Sequence, residues 1–269
     1  IARFLSIRHL NFNAIELSLD TLEVKKTPTL WMMIHDACPA KVQQKLVDYV
    51  KDGGKLVLMG HIPVTDERLQ PCTILKDALG ILKVSKPVSD KIDAFGTPDI
   101  PVGLLQSVDG TFESVFAKTS DQKTVGFTKT LGQGTLVFLG AALSTNCLDD
   151  LEVYAKISEL IGLKPVLDSF DWIDVRQMKG PLGRFLMLNN YSDDPFSDQI
   201  IRKGKALFNG RAVELPARSG LILPIETMIL PELKLTYSTV ELRQIETHKN
   251  HIILHFSSEG YVRIESSIY

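Results

Sequence analysis

Cysteine is scarce in this 269-residue chain, which holds only Cys38, Cys72 and Cys147. An odd number at wide spacing makes neither a disulfide framework nor a zinc pattern, and points to a reducing, cytoplasmic setting. No apolar run reaches the roughly 20 residues that a membrane span needs, so no membrane partner is expected. Charge of one sign is also missing. Lys and Arg total 30 against 32 Asp and Glu, no basic block stands out, and a nucleic-acid partner is not expected. The chain has no Gly-x-Ser-x-Gly elbow, no Gly-x-Gly-x-x-Gly turn and no phosphate-binding loop of the Walker type. Serine-hydrolase chemistry and nucleotide cofactors therefore lack support, and no cofactor is expected. An initiating methionine is absent too. Ile1 stands in the middle of an amphipathic stretch, so the chain reads as a fragment with any targeting signal upstream.

What is present describes a folded protein. With 44% hydrophobic and 23% charged residues, wholesale disorder is excluded. Ile1, Phe4, Leu5, Ile7 and Leu10 fall close to helical spacing, and residues 14–19 alternate as a strand would. The run TLWMMI at 29–34 reads as a strand buried on both faces, as does KLVLM at 55–59. Between them Val42, Leu46, Tyr49 and Val50 form a helical stripe that opens after Pro39 and stops at Gly53-Gly54. Strand, helix, strand with tight connections predicts a βαβ unit and a mostly parallel sheet, and a helix before residue 14 implies a first strand that lies upstream.

Farther on, residues 111–118, 123–130 and 135–140 are β-like. Gly132-Gln133-Gly134 joins the last two as a hairpin turn. Leu151, Tyr154, Ile157 and Ile161 make another helical stripe, ended by Gly162. The expected domains are an α/β domain over 1–165, a small all-β domain over 166–231, and further strands over 232–269 that extend the second domain or open a third. Short β runs at 172–178, 184–191 and 220–224 support the middle one, and runs at 234–243, 251–257 and 261–266 the last.

Candidate chemistry is sparse. In an α/β domain a site belongs at the carboxyl ends of parallel strands, here the loops at 35–38, 60–63 and 140–147. Cys38, with His35 and His61 close in topology, is the candidate for a cysteine–histidine nucleophile pair at a helix start. The plainer reading makes Cys38 a cap for the helix that Pro39 opens. His248, His251 and His255 are closely spaced, but read as solvent-facing β residues, so no metal site is expected. Adjacent acids such as Asp149-Asp150 and Asp193-Asp194 read as turns or caps rather than a glycosidase pair. Trp172 and Tyr191 are candidates for stacking on sugar, whereas Trp31 belongs in the core.

The run TLWMMIHDACPAKVQQKLVDYVKDGGKLVLMGHIPVTDE resembles the glutamine-amidotransferase-like domain of bacterial β-galactosidases of glycoside hydrolase families 35 and 42. The stretch Pro71 to Gly80, the hairpin and helix over 124–165, and the runs FLMLNNY at 185–191 and LPARSGLILP at 215–224 are similar to the same family. The resemblance implies an amidotransferase-like (flavodoxin-like) domain followed by small sandwich-like β domains. It also implies an upstream (β/α) barrel of the same polypeptide that carries two catalytic glutamates. This chain has no room for such a barrel, so no catalytic residue transfers to it. A true amidotransferase nucleophile sits on the turn after the strand equivalent to 55–59, where this chain reads Met59-Gly60-His61-Ile62. The resemblance therefore implies a non-catalytic C-terminal portion of a β-galactosidase that serves subunit association in a homo-oligomer and shapes the cleft for a carbohydrate substrate. The alternatives are a free-standing cysteine hydrolase using Cys38 and a carbohydrate-binding module using Trp172 and Tyr191.

Overall fold

A computed structural model describes residues 1–144, 147–165, 167, 173–249 and 251–266. The chain divides into two compact units. One is Asn13–Leu163, and the other combines Ala2–Phe12 with the chain from Lys164 onward.

The first unit is built on a mixed sheet. Strands β1 (Thr29–Ile34) and β2 (Lys55–Gly60) are parallel and joined by helix α2 (Ala40–Lys51), as their apolar runs predict. The buried stripe of α2 is Val42, Leu46, Val47, Tyr49 and Val50. Glycine is required just after it, because a Cβ on Gly54 would sit 2.4 Å from the Tyr49 ring. Helix α3 (Ile74–Ala78) and strand β3 (Ile81–Val84) follow, then β4 (Val88–Ala94), β5 (Thr97–Leu105) and β6 (Val108–Gly110). Strands β7 (Ser114–Thr119), β8 (Thr124–Leu131) and β9 (Gly134–Leu139) precede helix α4 (Leu148–Leu160). The strand order is β1-β2-β9-β8-β7-β4-β5, and the β3–β6 pair joins through β8.

Three expectations are corrected here. The sheet is not mostly parallel. Only the β1–β2 and β2–β9 ladders are parallel, and every other pairing in it is antiparallel. A parallel ladder needs a long crossover, and α2 is the crossover between β1 and β2. The chain between β2 and β9 instead folds back on itself as hairpins. Residues 14–19 form no strand. Leu19 and Asp20 donate their amides to the Glu16 carbonyl, the Glu16 amide donates to the Asp20 carboxylate, and Leu19 is 83% exposed. Cys38 does not cap α2, since Pro39 occupies the cap position and helical geometry starts at Ala40.

The second unit carries helix α1 (Ala2–Ile7) ahead of the first unit in sequence. Its main sheet takes β10 (Ile173–Gly180) and β11 (Gly183–Asn190). Two small pairs follow, β12 (Phe196–Gln199) with β15 (Ala212–Leu215) and β13 (Ile201–Arg202) with β14 (Lys205–Ala206). The main sheet resumes with β16 (Gly220–Leu230) and β17 (Leu233–Ser238). A separate hairpin of β18 (Leu242–Thr247) and β19 (Ile252–Phe256) precedes β20 (Val262–Ser266). The five-stranded antiparallel order is β10-β11-β16-β17-β20, so two strands beyond Pro231 share a sheet with β16. Alternation sorts its faces. Val175, Leu186, Leu188 and Leu223 turn inward and pack with Ile200, Phe208, Val213 and Leu215.

The open edge of β10 is covered by a side chain. Asn11 donates its amide NH2 to the Gln177 carbonyl at 2.8 Å and accepts the Gln177 amide at 3.0 Å. One primary amide thereby satisfies the two backbone groups that an added strand would take. Beside it the Arg176 guanidinium lies 4.0 Å over the Phe12 ring, donates to Ser6 Oγ at 2.7 Å and stands 3.4 Å from the Asp174 carboxylate.

Candidate functional site

The carboxyl ends of the parallel strands in the first unit are where α/β chemistry belongs. The loop after β1 supplies His35, Asp36 and Cys38. The turn after β2 supplies His61, and β5 ends against both. His61 is 4% exposed, and its ring lies between two acceptors. Its Nδ1 is 2.7 Å from the Asp36 carboxylate and its Nε2 is 3.1 Å from the Leu104 carbonyl. His35 approaches edge-on, with ring centroids 5.9 Å apart. The next residue is held as firmly, because the Ile62 amide donates to the buried Gln106 side chain at 2.8 Å and the Gln106 amide donates to the Gly140 carbonyl at 2.7 Å. Both ring nitrogens of His61 are therefore committed to binding three loops together. A general base needs one nitrogen directed at substrate, and this ring has neither free.

Cys38 is equally committed to structure. Its side chain is 5% exposed, and burial, with smaller contributions from Cys72 and Glu67, pushes the thiol up to about 11. An activated cysteine needs the opposite shift. Its Sγ has only a weak 3.9 Å contact with the Pro39 carbonyl, and no hydrogen bond or ion pair joins Cys38 to His61 among the described residues. The geometry does not bring together the cysteine–histidine pair that the topology suggests. Around Cys38 the organising residue is Gln43, which is fully buried. Its NH2 donates to the Cys38 carbonyl at 2.9 Å and its oxygen accepts the Leu75 amide at 3.2 Å. A polar residue on the buried stripe of α2 was the sequence signal for it.

At the start of α4 the Asp150 carboxylate is buried and accepts the Ser144 amide at 2.7 Å. Burial raises its pKa above the usual carboxylate range; the Ser144 bond acts against that rise and Asp149 adds to it. Asp149-Asp150 thus occupies the first turn of a helix, where negative charge is favoured.

In the second unit Tyr191 follows β11 and is 65% exposed. Asn190 beneath it is buried and shapes the turn. It donates to the Asp194 and Pro216 carbonyls and accepts from Ser192. Arg218 pairs with Asp193 at 2.8 Å on the same turn. Trp172 lies outside the described residues. A cavity of about 470 Å³ lies between β11, β16 and β18, lined by Phe185, Ile222, Met228, Leu242 and Ile245 among others. Phe185 is the one aromatic side chain among these lining residues, which are otherwise mostly aliphatic. Among the described residues no group of three or more His, Cys, Asp or Glu side chains could hold a metal ion, and no helix is long and apolar enough to cross a membrane.

Comparison with known proteins finds partial similarities. Residues 1–123 match the family model described as GLMA-like, second domain. The chain is 29% identical over 163 residues to a β-1,2-glucosyltransferase of Ignavibacterium album, covering 59% of this chain and 23% of that protein. It is 28% identical over 250 residues to an exo-β-D-glucosaminidase of Pyrococcus horikoshii, covering 87% of this chain and 30% of that protein. The fold resembles the crystal structure of a β-galactosidase from Bacillus circulans sp. alkalophilus, with a TM-score of 0.64 at 16% identity over 82% of this chain and 36% of that one. The chain thus spans about a quarter to a third of the length of the relatives it matches in sequence. The chain is thus similar to a part of each of these proteins.

Proposed function

We propose that this chain is a non-catalytic accessory region of a carbohydrate-active enzyme that hydrolyses a terminal β-linked sugar, and that the glutamates performing the reaction lie on a barrel elsewhere in the same polypeptide. The observation that carries this reading is the asymmetry of the sequence match. Nearly all of this chain aligns with the glucosaminidase, yet it accounts for only 30% of that protein. The chemistry agrees, because Cys38, in the loop after β1, is a buried thiol with a raised pKa, and the neighbouring His61 has both nitrogens engaged.

The substrate class follows the sequence relatives more than the fold relatives. The likeness to β-galactosidase is one of fold, whereas the likeness to the glucosaminidase extends through the sequence of both units. A β-linked glucosamine is therefore favoured over a β-galactoside. The role of the chain is subunit association and shaping of the substrate cleft, with the α/β unit as a chemically silent amidotransferase-like domain and the strands after Pro231 belonging to the second domain. The three free thiols support a reducing compartment. The test has two arms. The 269-residue chain alone should release no nitrophenol from 4-nitrophenyl β-D-glucosaminide or β-D-galactoside, and the complete polypeptide encoded by the gene should cleave the first in preference to the second. Turnover by the chain alone, or a complete polypeptide without a barrel, overturns the proposal.

A further inference from the structure

The outer strands of the two main sheets are guarded against pairing with another chain, with one exception. The edge of β10 is occupied by Asn11. Strand β20 carries Arg263 and Glu265. Strand β5 carries Pro98 and Pro101, and its ladder to β4 is broken by register shifts. Strand β3 is four residues long and carries Lys83. Charge, proline, irregularity and shortness are the devices by which sheets keep their edges from foreign strands. Strand β1 has none of these. Its six residues, Thr-Leu-Trp-Met-Met-Ile, hold no charge and no proline. Its ladder to β2 runs without a shift from Thr29–Lys55 to Ile34–Gly60, and β2 is its one ladder partner among the described residues.

The hydrogen bonds fix which backbone groups face outward. The Pro28 carbonyl accepts the Lys55 amide at 3.1 Å, and the Ile34 carbonyl accepts the His61 amide at 2.9 Å. Even-numbered residues therefore turn their backbone groups to β2, and strand alternation turns those of Thr29 and Met33 the other way. Met33 is 39% exposed although it stands in an apolar run. The charges at the two ends of the strand differ in sign. Lys25 and Lys26 precede it and are exposed, and Asp36, whose side chain is 63% exposed, follows it. A parallel neighbour of the same sequence would set lysine against lysine. An antiparallel one sets the two lysines against Asp36 at both ends.

We infer that the open edge of β1 is an interface between two copies of this chain, paired antiparallel about a twofold axis with Thr29 of each copy opposite Met33 of the other. One patch then serves both copies, as a twofold interface requires. The uncharged strand offers nothing to a strongly acidic or basic partner, whereas its own sequence reversed brings opposite charges together at both ends. Pairing gives the outward backbone groups of Thr29 and Met33 partners and runs one sheet through both copies. The inference deepens the subunit-association role proposed above and rests on it. An edge of six residues makes a small interface, so dissociation in the micromolar range is expected.

The test is sedimentation velocity of the complete polypeptide at roughly 1–100 µM, where a micromolar dimer passes from monomer to dimer. Met33→Lys puts a charge on the edge and should weaken the dimer at least about tenfold. Ile264→Lys, on the already charged β20, should leave it unchanged, and circular dichroism reports whether each variant folds. A second measurement does not depend on the folding of Met33→Lys. A Thr29→Cys/Met33→Cys double variant should form covalent dimers in oxidising buffer, and neither single variant should. A parent that stays monomeric throughout overturns both the inference and the association role. A dimer equally tight in folded Met33→Lys, or a double variant that does not cross-link, overturns the inference and leaves association by another surface.

Discussion

Reactivity of Cys38 separates a silent domain from a cysteine hydrolase, and its size follows from the structure. In a Cys72→Ser/Cys147→Ser variant only Cys38 remains to react with a thiol reagent. A thiol with a pKa near 11 is ionised to roughly one part in ten thousand at pH 7, against about three parts in a hundred for an ordinary thiol of pKa about 8.5. The thiolate fraction is thus lower by about 300-fold. A more basic thiolate is intrinsically more nucleophilic, with a Brønsted slope of about 0.4–0.5, which returns roughly tenfold. Native Cys38 should therefore react about 20- to 30-fold more slowly than the same residue in urea, before its burial slows it further. The assay is absorbance of the released thiolate chromophore at pH 7 in buffer and in denaturant. The native rate should also climb about tenfold per pH unit up to pH 9, because ionisation limits it. Native labelling within threefold of the denatured rate, or a rate that levels off between pH 6 and 8, refutes the assignment of Cys38 to structure and restores it as a nucleophile.

Other residues give independent tests. Gln43→Leu leaves the buried Cys38 carbonyl and Leu75 amide short of a partner and should cost about 2–6 kcal/mol in urea unfolding, at about 1–3 kcal/mol per orphaned group. A loss below about 0.5 kcal/mol means that the site relaxes around the change. Asp150→Asn keeps an acceptor for the Ser144 amide and removes a buried charge. The folded pKa of Asp150 is raised, so the native state holds its proton more tightly and stability falls as pH rises past the unfolded value. The variant should match the parent at low pH and exceed it at pH 7 in thermal melts, and the opposite trend would contradict burial as the cause. Asn11→Ala removes both bonds to the edge of β10 and should cost about 1–2 kcal/mol. It should also increase self-association in sedimentation velocity, because an uncovered strand edge pairs with other chains.

Much of the α/β unit was legible in the sequence because its elements announce themselves locally. The β1–α2–β2 unit rests on two apolar runs and one helical stripe, and the β8–β9 hairpin on its glycine turn. Each signal lies within some 25 residues of chain. The hairpins between residues 79 and 110 were missed, although Ile92, Ala94, Ile100 and Val102 are buried and alternate with exposed neighbours. Their turn at Phe95-Gly96 puts Phe95 at positive φ, a conformation its residue type does not signal. Residues 14–19 mislead in the opposite way, since alternation is only a strand signal where a partner edge exists. At the candidate site, the loops at the strand ends were located but not their roles. Whether a histidine is free or tied depends on Leu104, which lies 43 residues away, and no local pattern encodes that.

The change of strand direction at β9 has a kinetic consequence. On one side β9 meets β8 through a turn at Gly132-Gln133, and on the other it pairs in parallel with β2, where Thr135 lies opposite Lys55. The hairpin closes a loop of a few residues, while the parallel ladder closes one of about 80. By loop-closure entropy that difference is worth about 2.5 kcal/mol. The antiparallel half can therefore assemble early, from neighbours in sequence, whereas the parallel half waits for two distant stretches of chain to meet. Until they meet, β2 and the inner edge of β9 are uncovered apolar strands. The window in which this protein is most open to capture by a chaperone, or by a second copy of itself, is set by the closing of that one ladder.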